Sequence, residues 1–200
     1  MYITLLYYYS SVFIMFTRFE NGTYTYHTSL EFDRFIRTAK TVQHDLSNKY
    51  NMPLWLFCSN IVGSDFVGAY HYNASTHRLP SECLNYGNIR RSGLFNMDID
   101  DLSDNEICTL KDLCKIDNNI KYCAKSFSGH GAFILYYVGI NNQFNTIYVY
   151  NNVYPEIYKL LKQIRRSIVI DNSSLYVKFG SYRIESYDPN PYNNFGDTQW

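Results

Sequence analysis

The sequence has no net charge, few prolines, no paired-cysteine motif and no long apolar run, and each absence narrows the field. Lys and Arg total 18 against 18 Asp and Glu, so no overall field steers the chain towards nucleic acid or an anionic membrane. With 5 Pro and 10 Gly in 200 residues, collagen-like and Pro/Gly-rich disordered classes are excluded. The 5 cysteines are odd in number and include no C-x-x-C pair; Cys108, Cys114 and Cys123 are spaced unlike any zinc pattern. No metal or cofactor is therefore expected. The uncharged stretch Met1–Phe16 is too short, and too polar at Tyr7–Ser11, to span a bilayer. Its first cation, Arg18, follows the run instead of preceding it as in a signal peptide, so the stretch reads as β-structure. Reduced thiols in the cytoplasm are the expectation, with secretion the alternative left by the sequons at Asn21, Asn73 and Asn172.

What is present is core material. The chain is 46% hydrophobic, with 21 Tyr and 13 Phe, residues that favour the half-buried surface of a sheet. A chain of this length buries about 70% of its unfolded surface and needs no disulfide or metal staple. No repeat or low-complexity linker interrupts it. The expectation is one α+β domain over residues 1–200, a mainly antiparallel sheet flanked by amphipathic helices, with N-terminal strands in 1–27 and a loop-like tail in 188–200.

Local patterns place the elements. Ile3–Arg18 and Thr23–His27 read as strands around Glu20-Asn21-Gly22. Thr28 and Glu31 form a capping box that opens a helix with Phe32, Phe35, Ile36, Ala39, Val42, Leu46 and Tyr50 on one face, stopped at Asn51-Met52-Pro53. Leu54–Ser59 predicts a central strand, with Phe66–Tyr72 as its partner, and Asn73–Asp101 shows no clear pattern. Ser103 and Glu106 cap a second helix carrying Ile107, Leu110, Leu113 and Cys114. Ala132–Val138 and Thr146–Tyr150 predict a hairpin through Gly139–Asn145, and Pro155 opens a helix with Ile157, Leu160, Leu161, Ile164 and Ile168 on one face. Ser174–Phe179 and Tyr182–Ser186 predict a last hairpin.

Two constellations carry functional expectations. The order of elements over about Ser29–Ile168 looks like a sensory domain of the GAF/PAS kind. That resemblance implies a regulatory or binding role, by small-molecule sensing or partner recognition, with a pocket lined by Trp55, Phe57, Tyr70, Phe133 and Tyr148. The alternative rests on Ser128-Gly129-His130-Gly131, a strand, and Tyr148-Val149-Tyr150-Asn151-Asn152, which resembles the second half of papain-like cysteine peptidases. It implies a hydrolase or transferase with a Cys nucleophile (Cys58, or Cys83 in its better helix-start context), His130 as base and Asn151 as the group orienting it. Asp188-Pro189-Asn190 reads as a tight turn. Asp98, Asp100, Asp101, Asp104 and Glu106 form an acidic cluster without the EF-hand pattern, two of them suited to a helix N-terminus. Lys159, Lys162, Arg165 and Arg166 read as the solvated face of the last helix.

Overall fold

The computed structural model describes residues 15–20, 23–39, 52–56, 59–61, 89–91, 93–139, 148–171 and 182–196. Alternating residues in β1 (Met15–Glu20) and β2 (Thr23–Thr28) form an antiparallel hairpin, with Met15 opposite Thr28 and Glu20 opposite Thr23. Helix α1 (Ser29–Thr38) follows at once. The Thr28 hydroxyl accepts from the Glu31 amide while the Glu31 carboxylate accepts from the Thr28 amide, so the capping box is complete. Strand β3 (Leu54–Leu56) lies between β1 and β9 (Tyr182–Ile184), giving a first antiparallel sheet of order β2-β1-β3-β9. Strands β4 (Ser59–Ile61) and β5 (Ile89–Arg91) pair with each other.

The second sheet is built from β6 (Leu94–Asp100), β7 (Ile120–Lys125), β8 (Gly131–Tyr137) and β10 (Tyr192–Asn193), in the antiparallel order β10-β7-β8-β6. The first six residues of β8 are buried, as a strand covered on both faces requires. Its first residue has to be glycine: a Cβ on Gly131 would lie 2.5 Å from the Ile99 carbonyl oxygen of β6. One face of this sheet carries Phe95, Met97, Ile99, Cys123 and Ile134. It packs on α2 (Asp104–Cys114) and α3 (Tyr154–Ile164) through Ile107, Leu110, Ile157 and Leu161. The other face presents Leu94, Tyr122, Ala124, Phe133 and Leu135 to the first sheet and α1. Phe32 of α1 sits where the two sheets meet, its ring centroid 5.1 Å from Phe16, 5.0 Å from Trp55 and 4.9 Å from Tyr122. The chain is thus α+β, with antiparallel sheets and three described helices. Among the described residues no helix is long and apolar enough to cross a membrane.

Several sequence expectations are corrected. The first helix does not run unbroken to Tyr50: Ala39 leaves the helical region (φ −55, ψ 117), and the Ile36 carbonyl in its last turn accepts from the Asp188 amide. Val42, Leu46 and Tyr50 lie outside the described residues, as do Phe66–Tyr72 and Ser174–Phe179. Within the stretch without clear pattern, β6 alternates buried Phe95, Met97 and Ile99 with Asn96 and Asp98. Strand β7, not expected from sequence, pairs with β8. Tyr148 is helical and Val149–Val153 forms a π-helical turn leading into α3, since Val149, Val153 and Ile157 share the apolar stripe that continues the helix. Helix α3 ends at Ile164, so Ile168 is buried beyond it and Arg165 and Arg166 are not on its face. The tail is more than a loop, for it supplies β10 and the buried Asp188.

Candidate functional site

Residues directly opposite in an antiparallel sheet point to the same face. Thr25 is opposite Arg18, Arg18 opposite Trp55, and Trp55 opposite Arg183, so one row across the first sheet carries two arginines flanking a tryptophan. Both arginines are 9% exposed and Trp55 is 1% exposed. Charges so placed persist only when paired. Glu185, two residues beyond Arg183 and on the same face, accepts from Arg18 Nε at 2.7 Å and Nη2 at 3.2 Å, and from Trp55 Nε1 at 2.9 Å. Glu20 takes the remaining Arg18 nitrogen. Burial alone would lower the Arg18 pKa, but its bonds to Glu185 and Glu20 outweigh that and raise it. Arg183 reaches the second sheet, donating to Asp98 at 2.6 Å and to Asn96 at 3.1 Å, with its guanidinium 4.8 Å over the Phe133 ring. The Arg18 guanidinium lies 4.6 Å over Phe35. His27, beside this row, has its pKa lowered, by burial first and the Arg18 charge after it, against the opposing pull of Glu31 and Glu185.

A second polar group closes the other end of the interface. Asp188, 3% exposed, accepts from the Lys125 amide of β7 at 2.7 Å, Lys111 Nζ of α2 at 2.7 Å and the Asn190 amide at 3.0 Å. The last of these is an Asx turn, so the expected tight turn at Asp188-Pro189-Asn190 is present. Arg37 of α1 donates to the Pro189 carbonyl and to Asp33, and Asp33 accepts from the Tyr122 hydroxyl at 2.9 Å. Burial, then the Asp33 charge, pushes the Tyr122 pKa far up, so this hydroxyl remains a donor.

The sequence-predicted residues are dispersed. Trp55 and Phe133 are fully buried on the facing inner surfaces of the two sheets, while Tyr148 is half-buried beside the helical layer. Phe57 and Tyr70 lie outside the described residues, as do Cys58 and Cys83. His130 is exposed at the bend before β8, and its carbonyl accepts from the Leu102 amide at 3.0 Å. Asn151 is exposed on the π-helical turn, not at the end of a strand as the papain-like resemblance implies. The acidic cluster is divided: Asp98 binds Arg183, Asp104 binds Lys125, and Glu106 both caps α2 and pairs with Arg165 at 2.9 Å. Among the described residues no group of three or more His, Cys, Asp or Glu is placed to hold a metal ion.

Sequence reasoning missed Arg18, Arg183, Glu185 and Asp188. A signal existed in the parity: Phe16 and Arg18 alternate on β1, as do Arg183 and Glu185 on the last segment, so a charge shares the inward face with buried partners. Comparison with protein-family models, curated proteins and solved structures finds no match, so the physical reading of this interface stands alone.

Proposed function

We propose that this chain is a regulatory or binding domain that holds a small planar anion against the arginine–tryptophan row of the first sheet. The observation that carries the reading is the row itself, two buried guanidiniums on either side of Trp55, each over an aromatic ring. Each arginine has one partly exposed carboxylate partner, Glu20 at 46% and Asp98 at 27% side-chain exposure, and Glu185 stays buried against Arg18 and Trp55. A ligand carboxylate or phosphate would take the place of an exposed partner, keeping the charge balance while its ring packs beside the half-buried Phe35. The resemblance of the sequence-expected element order to GAF/PAS sensory domains implies a role of this kind.

The test is thermal denaturation of the full chain against a panel of aromatic carboxylates and nucleotides. A binding anion at 100 times its dissociation constant should stabilise the fold by about 2.7 kcal/mol. Arg183→Gln should abolish that gain, and Lys159→Gln on the exposed side of α3 should leave it intact. Stabilisation that survives Arg183→Gln and Arg18→Lys would place the ligand elsewhere. If no anion stabilises the protein, the small-molecule reading falls and recognition of a protein partner replaces it.

A further inference from the structure

Among the described strands β2 is the outermost of the first sheet, paired with β1 on one side. Edge strands are usually protected by a charge, a proline or a bulge, because their outward backbone groups can accept another strand. Strand β2 has none of these. Its sequence is Thr-Tyr-Thr-Tyr-His-Thr, and its register with β1 runs unbroken from Thr23 to Thr28. Two of the five exposed large hydrophobic residues among the described ones, Tyr26 at 43% and Leu30 at 65%, lie on this strand and just beyond it.

The direction of its backbone groups follows from one bond. The Thr28 amide donates to the Glu31 carboxylate at 2.8 Å, so Met15 and Thr28 do not form a hydrogen-bonded pair. Hydrogen-bonded and non-hydrogen-bonded pairs alternate along an antiparallel ladder, so Thr17–Tyr26 and Phe19–Tyr24 are also of the second kind. The N–H and C=O groups of Tyr24 and Tyr26 therefore point away from β1.

We propose that two copies of this chain pair through β2, antiparallel about a two-fold axis at Thr25. The outward groups match when Tyr24 of one copy lies opposite Tyr26 of the other. Each of the two pairs so formed exchanges two N–H···O bonds, and Thr25 meets its own counterpart. A register centred on Tyr26 would set Thr28 opposite Tyr24, and the Thr28 amide is already taken. A second copy suits this edge because β2 holds no Lys, Arg, Asp or Glu and the whole chain has no net charge. The Arg18 side chains of the two copies would stand three strand spacings apart, about 14 Å, which exceeds the screening length of about 8 Å. Each is also neutralised by Glu185 and Glu20. The Tyr26 rings would be diagonal neighbours on the sheet face away from Arg18, within reach of each other.

Sedimentation equilibrium of the full chain under reducing conditions, from micromolar to millimolar concentration, tests this. A reversible monomer–dimer equilibrium is expected. Tyr26→Pro removes one outward N–H from each copy without touching the ladder to β1, and should weaken association roughly tenfold or more. Tyr26→Lys, at an exposed side chain, sets like charges across the axis and should weaken association with little change in the melting temperature of the monomer. Under mild oxidation Thr25→Cys should yield a peptide disulfide-linked to its own counterpart, since a non-hydrogen-bonded pair holds its Cα atoms about 4.5 Å apart. A chain that stays monomeric at millimolar concentration, with no such link in Thr25→Cys, would overturn the proposal and leave an extended segment of another protein as the occupant of this edge. A dimer that persists unweakened in both Tyr26 variants would overturn it as well, by placing the contact elsewhere.

Discussion

On one face of the sheet β10-β7-β8-β6, Met97, Ile99, Ile134, Ile107, Leu110, Ile157 and Leu161 meet with no charged side chain among the buried residues of the cluster. On the other face the same strands meet Phe16, Phe32 and Trp55, and around those rings lie Arg18, Arg183, Glu185, Asp33 and Asp188. The apolar face is held by area removed from water, which is non-directional and tolerates conservative change. The charged face is held by paired groups whose loss leaves a partner stranded in a low-dielectric seam. The difference locates the fragile side of the fold: it is the interface between the two sheets, and its carboxylates Glu185 and Asp188 both come from the last described segment, residues 182–196.

The largest effect that would sharpen this contrast is expected from Glu185→Ala. It strands Arg18 with only the half-exposed Glu20 and leaves Trp55 Nε1 without its acceptor, and should cost about 3–5 kcal/mol in urea unfolding. Replacing the pair together, Arg18→Met with Glu185→Leu, should recover the part of that loss due to the stranded charge, while Trp55 Nε1 still lacks its acceptor. A double variant as unstable as the single one would show that the seam depends on more than this pair. On the apolar face, Leu161→Ala should cost roughly 2–5 kcal/mol through the cavity it leaves. Combined with Glu185→Ala it should add within about 0.5 kcal/mol, since the sheet stands between the two sites. Strong non-additivity would mean that the two faces open as one unit.

The smallest effect is a pH dependence confined to the charged face. The folded-state pKa of His27 is lowered from its ordinary 6.5, chiefly by burial, so the unfolded chain binds the proton more readily. Its contribution is fully present above pH 6.5 and is lost as the pH falls through the folded pKa. The melting temperature should therefore decline between neutral pH and mild acid, and His27→Gln should flatten that slope. Glu31 and Glu106 have folded pKa values below the ordinary 4.5, each held down first by the amide of its helix cap. Their contributions are present above pH 4.5 and lost only in the more acidic range below it. An equal slope in wild type and His27→Gln would remove His27 from the account.

Legibility followed the range of the interactions. Both capping boxes and the apolar stripe of α3 were readable because each is decided within a few residues. Strand β8 was readable from its continuous apolar run. Strand β6 was hidden because its Asp98 and Asp100 read as part of an acidic cluster while Phe95, Met97 and Ile99 carried the alternation. Tyr148-Val149-Tyr150 favours a strand by side-chain type, but the apolar stripe leading into α3 prevailed. The candidate site was the least legible part. Arg18 and Glu185 are 167 positions apart and Lys125 and Asp188 are 63 apart, so no local window contains either pair. The turn at Asp188-Pro189-Asn190 was evident locally; that its carboxylate ends under β7 and α2 was not.

The central claim, that the last segment clamps the two layers through its carboxylates, is tested most directly at the Lys125 amide, which donates to Asp188. Hydrogen exchange should be followed by NMR in wild type and Asp188→Ala, with the amides of Ile157–Leu161 in α3 as the internal reference. The account predicts that the substitution speeds exchange at Lys125 by roughly 30-fold or more relative to α3, the loss of a charged acceptor being worth about 2–3 kcal/mol. Unchanged relative protection at Lys125, with an unchanged melting temperature, would contradict it.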